Sequence, residues 1–271
     1  MPARERIPPL IPQASFANAP LHLIGRLAEA SNATWLARLE DPASGPLVVY
    51  KPISGERPLW DFPDGTLAGR ERAAYLLSEL GGWCLIPRTI LREGPRGPGM
   101  VQDWIGELDG DPDSVVHIIR VADDPEGLIP VLRATDEAGR PLLVAHEDAS
   151  DVRALSVLDC VLNNTDRKGA HAFRCAGQLY AVDHGLTFHA EPKLRTVLWG
   201  WAGKPLPDKE IERLSALRAA LESDAERASE LRSYLTPIEH AALLDRVREL
   251  LGTGRHPEPD GAWPAIPWPP I

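Results

Sequence analysis

Two acidic residues, each in a loop after an apolar segment, constrain this chain more than any other feature. Asp166 lies in a polar loop, residues 163–171, directly after the apolar run 154–162. Asp183 follows the strand-like run 179–182 and precedes a His-Gly pair. Two acids on neighbouring loops can converge on one point. Phosphoryl transfer from a metal-bound nucleotide uses such a pair, because one carboxylate orients or deprotonates the attacking group and the other holds the metal.

The residues around these acids follow the catalytic pattern of kinases. That pattern is Asp-x-Lys, a metal ligand five residues after the Asp, and then Asp-x-Gly. Here the positions are Asp166, Lys168, His171, Asp183 and Gly185. Residues 164–167 resemble the catalytic loop of type II phosphatidylinositol 4-kinases and HipA-type toxin kinases, and residues 183–186 resemble their metal-binding loop.

A closer resemblance covers about residues 5 to 255. The chain resembles a mainly actinobacterial family that is related to phosphatidylinositol 3/4-kinases, within the superfamily that also holds the HipA-like kinases. Four segments carry this resemblance: 60–68, 100–104, 166–171 and 193–201. It implies an α+β, bilobal protein-kinase-like fold, with an antiparallel-sheet N-lobe and a mainly helical C-lobe. It also implies ATP with Mg²⁺ or Mn²⁺ as cofactors.

Composition and charge exclude several classes of protein. Apolar residues make up 44% of the 271 residues and charged residues 25%, as in globular proteins. The net charge of −10 argues against nucleic acid as a partner and weakly against anionic lipid surfaces. The three cysteines lack a CxxC pair, which indicates reduced thiols without a cysteine zinc site. We see no secretory signal and no apolar run long enough to span a membrane, so we predict a cytoplasmic protein without integral membrane association.

The order of predicted elements suits two lobes. We predict an extended, proline-rich arm over residues 1–20, an N-lobe over 21–104, a C-lobe over 105–253 and a Pro/Trp-containing tail over 254–271. The N-lobe should contain three antiparallel strands within 21–51, a helix over 69–80 and strands near 89–92 and 99–104. Residues 111–148 look acidic and irregular apart from a hairpin around 136–140. The helices of the C-lobe are predicted at about 148–162, 208–222, 224–233 and 237–251.

A lysine and a glutamate are candidates for anchoring the nucleotide. Lys51 ends a β-branched strand, and Glu71 lies in the first turn of the next helix. Kinases hold a strand lysine with a helix glutamate, so that the lysine contacts the nucleotide phosphates. Arg70 and Arg72 are alternative partners for Glu71. Lys51 could also be a solvated lysine at the end of a strand.

Two further segments are candidates for nucleotide contacts. Ser31 and Asn32, between the first two strands, could cradle phosphates with their backbone N–H groups, although no GxGxxG motif is present. An ordinary hairpin turn would explain these residues equally well. Gln102, Asp103 and Trp104 resemble the hinge that binds adenine, but a strand tryptophan is also a common core residue.

The catalytic and metal roles follow from the resemblance. Asp166 would be the base or orienting residue, Lys168 would contact the γ-phosphate, and Asp183 with His171 would bind the metal. His171 stands where the superfamily usually has Asn. Imidazole suits transition metals better than Mg²⁺, so His171 could ligate Mn²⁺, hold a metal-bound water or abolish the second metal site.

Two other interpretations remain open at this stage. A zinc site could form from His171, Asp183, His184 and His189, although no HxxxH or HExxH spacing supports it. The segment 192–204 lies where kinases carry the activation or substrate loop. We expect its tryptophans, Trp199 and Trp201, to pack in the interior, whereas Lys193 and Arg195 could contact a substrate.

The sequence therefore predicts an ATP-dependent phosphotransferase that resembles phosphatidylinositol 3/4-kinases. The hydroxyl acceptor is unidentified and could belong to a protein, a small metabolite or a lipid. A protein partner is also conceivable. The alternative is a nucleotide-binding pseudokinase or scaffold without phosphotransfer.

Overall fold

The computed structural model describes residues 11–27, 32–108, 110, 112–123, 126–259, 261 and 263–271. An antiparallel sheet forms first along the chain, and most of the long helices follow it. This order confirms the predicted α+β architecture, with a sheet-based first lobe and a mainly helical second lobe.

A five-stranded antiparallel sheet forms the first lobe. Its elements in chain order are α1 (Gln13–Asn18), β1 (Leu21–Arg26), β2 (Trp35–Leu39), β3 (Leu47–Pro52), α2 (Leu67–Leu80), β4 (Thr89–Gly94) and β5 (Gly97–Asp103). The strand order β1-β2-β3-β5-β4 puts β3 in the middle of the sheet. Side chains alternate along β3, so that Val48 and Tyr50 are fully buried and Lys51 lies on the opposite face.

Helix α1 differs from the prediction. The prolines in residues 1–20 predicted an extended arm, which is wrong for Gln13–Asn18. Phe16 is fully buried against the sheet, and the Arg88 guanidinium stacks on its ring at 3.8 Å. Burial of this aromatic ring stabilises the short helix.

Helix α2 is capped at its beginning and packs against the second lobe. The Thr66 hydroxyl accepts from Gly69 N–H, and Glu56 accepts from the N–H groups of Leu67 and Ala68. These bonds satisfy the free N–H groups of the first turn. Residues of α2 such as Leu77 belong to the large apolar core that α2 shares with the helices of the second lobe.

A second sheet was missed in the segment predicted to be irregular. Residues 111–148 contain β6 (Asp113–Ser114), β7 (Val116–Arg120), β8 (Leu128–Thr135) and β9 (Pro141–Glu147). The order β7-β9-β8 is antiparallel, and the predicted hairpin at 136–140 joins β8 to β9. Much of this sheet faces solvent, with Ile118 55% exposed, so its apolar alternation is weak.

The remaining helices agree closely with the predictions. They are α3 (Ser150–Leu162), α4 (Asp208–Leu221), α5 (Glu226–Ser233) and α6 (Pro237–Thr253). Strand β11 (Gln178–Ala181) matches the strand-like run at 179–182, whereas its partner β10 (Ala172–Cys175) was not predicted. Helix α6 begins with a capping box in which Thr236 and Glu239 bond to each other's backbone. In the predicted tail, the Ala265 carbonyl accepts from Thr196 N–H and from the Trp199 indole. Among the described residues, no helix is both long enough and apolar enough to cross a membrane.

Candidate functional site

Lys51 lies at the centre of the site, between two carboxylates. Its Nζ is 2.6 Å from Glu71 Oε1 and 2.7 Å from Asp183 Oδ1. The second oxygen of Glu71 accepts from the backbone N–H of His184 at 3.0 Å. These contacts join the central strand β3, helix α2 and the loop after β11 at one point.

The electrostatics favour the charged forms of Lys51 and Asp183. Burial opposes the charge on Lys51, but the carboxylates of Asp183 and Glu71 outweigh it and raise the pKa of Lys51. The charge on Lys51 in turn holds the pKa of Asp183 well below its usual range. Burial raises the pKa of Glu71, against the opposing charge of Lys51. At neutral pH the site therefore pairs the Lys51 cation with the Asp183 anion.

His171 and Asp183 present a place for a cation. His171 Nδ1 is 3.1 Å from the Asp166 carbonyl oxygen, and because a carbonyl only accepts, Nδ1 carries the proton. Burial lowers the pKa of His171, so the ring is neutral at pH 7 and Nε2 keeps its lone pair. Nε2 faces Asp183 Oδ2 at 3.5 Å. Two electron-pair donors facing each other fit a metal ion, and a nitrogen with a carboxylate suits Mn²⁺.

Few side chains among the described residues could bind a metal at this site. In the part of the chain that the structure describes, no group of three His, Cys, Asp or Glu side chains converges. The zinc site considered for His171, Asp183, His184 and His189 is therefore not formed. His184 is buried and accepts from Arg167 at 2.7 Å through Nε2. A metal held by Asp183 and His171 would take its other ligands from phosphate oxygens and water.

Two cavities meet at Lys51 and Asp183. The larger, of about 540 Å³, lies between the lobes and is lined by Val49, Trp104 and His171 among others. Its volume is in the range of cofactor pockets. The smaller, of about 250 Å³, is lined on one side by Asp166. Asp166 and His171 thus open into different cavities on either side of the same ion pair.

The predicted hinge residues line the larger cavity, but two of their side chains are already bonded within the sheet. Gln102 is buried and donates to the Thr89 hydroxyl at 2.8 Å. Asp103 forms a bidentate pair with Arg88 at 3.0 and 3.1 Å. Trp104 donates its backbone N–H to Leu47 O at 3.2 Å and also lines the cavity.

The smaller cavity contains part of the predicted phosphate loop. Asn32 lines it, and the Asn32 side-chain oxygen accepts from the backbone N–H of Arg57 at 3.0 Å. Ser31, the other predicted phosphate contact, lies outside the described residues. Arg57 is exposed, lines the same cavity and forms no ion pair among the described residues. Sequence reasoning missed this arginine, because an arginine in a proline-containing loop has no distinctive pattern.

Asp166 and Lys168 form an ion pair. Lys168 Nζ is 3.0 Å from Asp166 Oδ2, and Asp166 N–H donates to the side-chain oxygen of Asn164. Asp166 lines the smaller cavity, whereas the described linings of the two cavities do not include Lys168. Asp166 therefore lies at the site, and Lys168 contacts the site only through its ion pair with Asp166.

A buried arginine, also missed from the sequence, holds the two acidic loops together. Arg167 has no exposed surface and pairs with Asp159 of α3 at 3.0 Å. It donates to the carbonyls of His171 and Val182, each at 3.0 Å, as well as to His184. One side chain thus connects the loop of Asp166 with the loop of Asp183.

The segment 192–204 is mostly structural. The Lys193 ammonium pairs with Asp61 and lies 3.3 Å from Glu191, so it is not free for a substrate. Trp201 is 3% exposed, which confirms the expectation of packing. Between the tryptophans, Gly200 N–H donates to buried His146 at 3.1 Å, and a Cβ at this position would collide with that ring.

Comparison with known proteins identifies a family. No model of a known protein family matches the chain. Protein Rv2133c of Mycobacterium tuberculosis is 45% identical over 265 residues, covering 94% of each chain. The chain belongs to the same family as this mycobacterial protein.

Solved structures show a weaker likeness. A Golgi casein kinase has a TM-score of 0.48 at 13% identity, covering 91% of this chain and 78% of the kinase. The Helicobacter pylori proinflammatory kinase CtkA has a TM-score of 0.42 at 9% identity, covering 89% of this chain and 94% of that one. At these values the function has to be argued from the site itself.

Proposed function

We propose that this protein is an ATP-dependent phosphotransferase that moves the γ-phosphate to a hydroxyl group. The observation that supports this most is the position of Lys51. It is bonded to Glu71 and Asp183 at the junction of a nucleotide-sized cavity and a second cavity that contains another carboxylate. A cation fixed in this way is suited to the α- and β-phosphates of a nucleotide.

The residues can perform an in-line transfer. The acceptor oxygen would form a bond to the γ-phosphorus, while the bond from that phosphorus to the β–γ bridging oxygen breaks and ADP leaves with the electron pair. Asp166 would orient the acceptor hydroxyl and take its proton. A bound Mg²⁺ or Mn²⁺, held by Asp183 and His171, would neutralise the phosphate oxygens.

The acceptor hydroxyl would enter the smaller cavity, because Asp166 lines it. The resemblance to phosphatidylinositol 3/4-kinases suggests an inositol lipid, and the HipA-like kinases suggest a protein hydroxyl. A small metabolite is the third candidate, and fold resemblance does not choose among them.

A nucleotide-binding pseudokinase is the second candidate. Asp183 Oδ1 is bonded to Lys51, and an imidazole replaces the usual amide ligand at His171. Such a protein would bind ATP without turning it over.

Calorimetry of ATP binding tests both candidates. We expect the full chain to bind ATP more tightly when Mg²⁺ or Mn²⁺ is present. Asp183→Ala should lose this metal-dependent gain in ATP affinity. Asp245→Ala, an exposed acid on α6, is the matched control and should bind like wild type. If the protein binds ATP neither with Mg²⁺ nor with Mn²⁺, both candidates are refuted. Metal-dependent ATP turnover, followed over hours, would favour the phosphotransferase over the pseudokinase.

A further inference from the structure

The face of the first sheet that borders the larger cavity carries an uncharged polar side chain near Lys51. Gln102 of β5 is paired directly with Val49 of β3, and directly paired residues of antiparallel strands point to the same face. Val49 and Lys51 are two residues apart on that face, about 7 Å along the strand. All three residues line the larger cavity. Gln102 therefore lies in the wall of this cavity, beside the position proposed for the nucleotide phosphates.

The hydrogen bonds of Thr89 fix which end of the Gln102 amide faces the sheet. The Thr89 hydroxyl donates to Pro87 O at 2.8 Å, because a carbonyl oxygen only accepts. A hydroxyl has one hydrogen, so the Thr89 oxygen can only accept from the Gln102 amide at 2.8 Å. Nε2 of Gln102 must therefore face Thr89, and the two ends of the amide are not interchangeable.

The other end of the amide, Oε1, has no hydrogen-bond donor. No N–H or O–H group of the described residues bonds to it, although Gln102 is only 3% exposed. Strand β5 lies between β3 and β4, which enclose the Gln102 backbone within the sheet. Oε1 keeps accessible surface, and the larger cavity is the space that Gln102 lines. Because buried polar groups are nearly always hydrogen-bonded, a ligand in this cavity is expected to supply the donor.

We propose that Gln102 selects the base of the nucleotide and favours a purine with an amino group at position 6. This inference rests on the proposed function, which places the nucleotide in the larger cavity. Adenine has a 6-amino group, whose N–H can donate to Oε1, whereas guanine has a carbonyl oxygen at position 6. A carbonyl there would face Oε1 as a second acceptor, and both oxygens would lose their hydrogen bonds to water without gaining a new one. Thr89 acts as a positioning residue, because it holds the amide in the orientation that presents Oε1.

Nucleotides that differ at position 6 of the purine test this selection. We would titrate the full chain with ATP, purine riboside triphosphate and inosine triphosphate, which carry an amino group, a hydrogen and a carbonyl oxygen at that position. Calorimetry would follow binding with Mg²⁺ and, separately, with Mn²⁺. We expect ATP to bind about two- to tenfold more tightly than purine riboside triphosphate, which is the range for one neutral hydrogen bond. Inosine triphosphate should bind at least about tenfold more weakly than ATP, because it also leaves two acceptors unpaired.

Two variants and a control assign the effect to the amide. Gln102→Leu removes the amide and should lower the ratio of ATP affinity to inosine triphosphate affinity by at least about fivefold. Gln178→Leu is the matched control and should keep the wild-type ratio, because Gln178 is exposed and is absent from the described linings of both cavities at Lys51.

Thr89→Val keeps the shape of the side chain and removes the acceptor that fixes the amide. Gln102 can then turn and donate from Nε2 to a 6-carbonyl group. We therefore expect Thr89→Val to bind inosine triphosphate several-fold more tightly than wild type does, a gain that a loss of stability would not produce. This variant tests the proposal on its own if Gln102→Leu does not fold.

Two results would overturn the proposal while the proposed function stands. One is equal affinity for ATP and inosine triphosphate, and the other is a wild-type ratio of these affinities in both Gln102→Leu and Thr89→Val. In each case the triphosphates still bind, and only the selection of the base is wrong. If none of the three triphosphates binds with either metal, the proposed function fails and the role of Gln102 fails with it.

Discussion

The buried pair between Asp159 and Arg167 gives the sharpest test of how the site is held together. Neither side chain has exposed surface, and two Arg167 nitrogens lie 3.0 Å from the Asp159 carboxylate. Asp159→Asn keeps the size of the side chain and removes its charge. The buried guanidinium of Arg167 then has no anionic partner.

The expected cost is large. Removing one partner of a buried ion pair destabilises proteins by about 3–5 kcal/mol, because the remaining charge is not compensated. Native proteins are stable by only about 5–15 kcal/mol, so this change takes away a substantial fraction. With a urea slope of about 3 kcal/mol per molar, the unfolding midpoint should fall by about 1 M or more.

Urea unfolding followed by tryptophan fluorescence measures this shift. The matched control is Asp245→Asn, which breaks the exposed pair with Arg248 and should cost less than about 1 kcal/mol. A midpoint for Asp159→Asn that lies as close to wild type as the control would refute the reasoning. It would mean that the Arg167 charge is compensated by the carbonyls of His171 and Val182 alone.

Three further variants test individual contacts. In His171→Asn, the ratio of the ATP affinity with Mn²⁺ to the ATP affinity with Mg²⁺ should fall by on the order of tenfold, because an amide oxygen suits Mg²⁺ better than imidazole does. If calorimetry shows that this ratio is unchanged, His171 does not bind the metal. Arg57→Gln should weaken ATP binding about tenfold more than ADP binding if the Arg57 guanidinium contacts the γ-phosphate in the smaller cavity. Equal losses of ATP and ADP affinity would exclude that contact. Gly200→Ala should cost about 1–3 kcal/mol in urea unfolding through overpacking against His146, and wild-type stability would show that the turn can relax.

The parts of the fold that could be predicted carry local signals. Helix α6 begins at Thr236-Pro237 with Glu239 in the capping position, and all three residues act as the sequence indicates. Strands β7 to β9 lack such signals, because their exposed faces mix apolar and charged residues. Their pairing is a long-range property that periodicity does not show.

The acidic residues of the site could be predicted from the sequence, but the residues that hold them in place could not. The order of Lys51, Glu71, Asp166 and Asp183 along the chain was enough to expect that they would meet. Nothing in the local sequence showed that Arg167, beside Asp166, points away from the cavity and into the core. The direction of a side chain in a loop depends on packing that forms only in three dimensions.

Three consecutive residues of α2 show how geometry resolves a choice that the sequence left open. Successive side chains on a helix point about 100° apart, so residues 70, 71 and 72 leave α2 in three directions. Arg70 pairs with Glu239 of α6, Arg72 pairs with Glu230 of α5, and only Glu71 faces Lys51. Neither arginine therefore competes for Glu71. Turning α2 far enough to withdraw Glu71 would break both arginine pairs, so we expect the contact between Lys51 and Glu71 to persist without nucleotide.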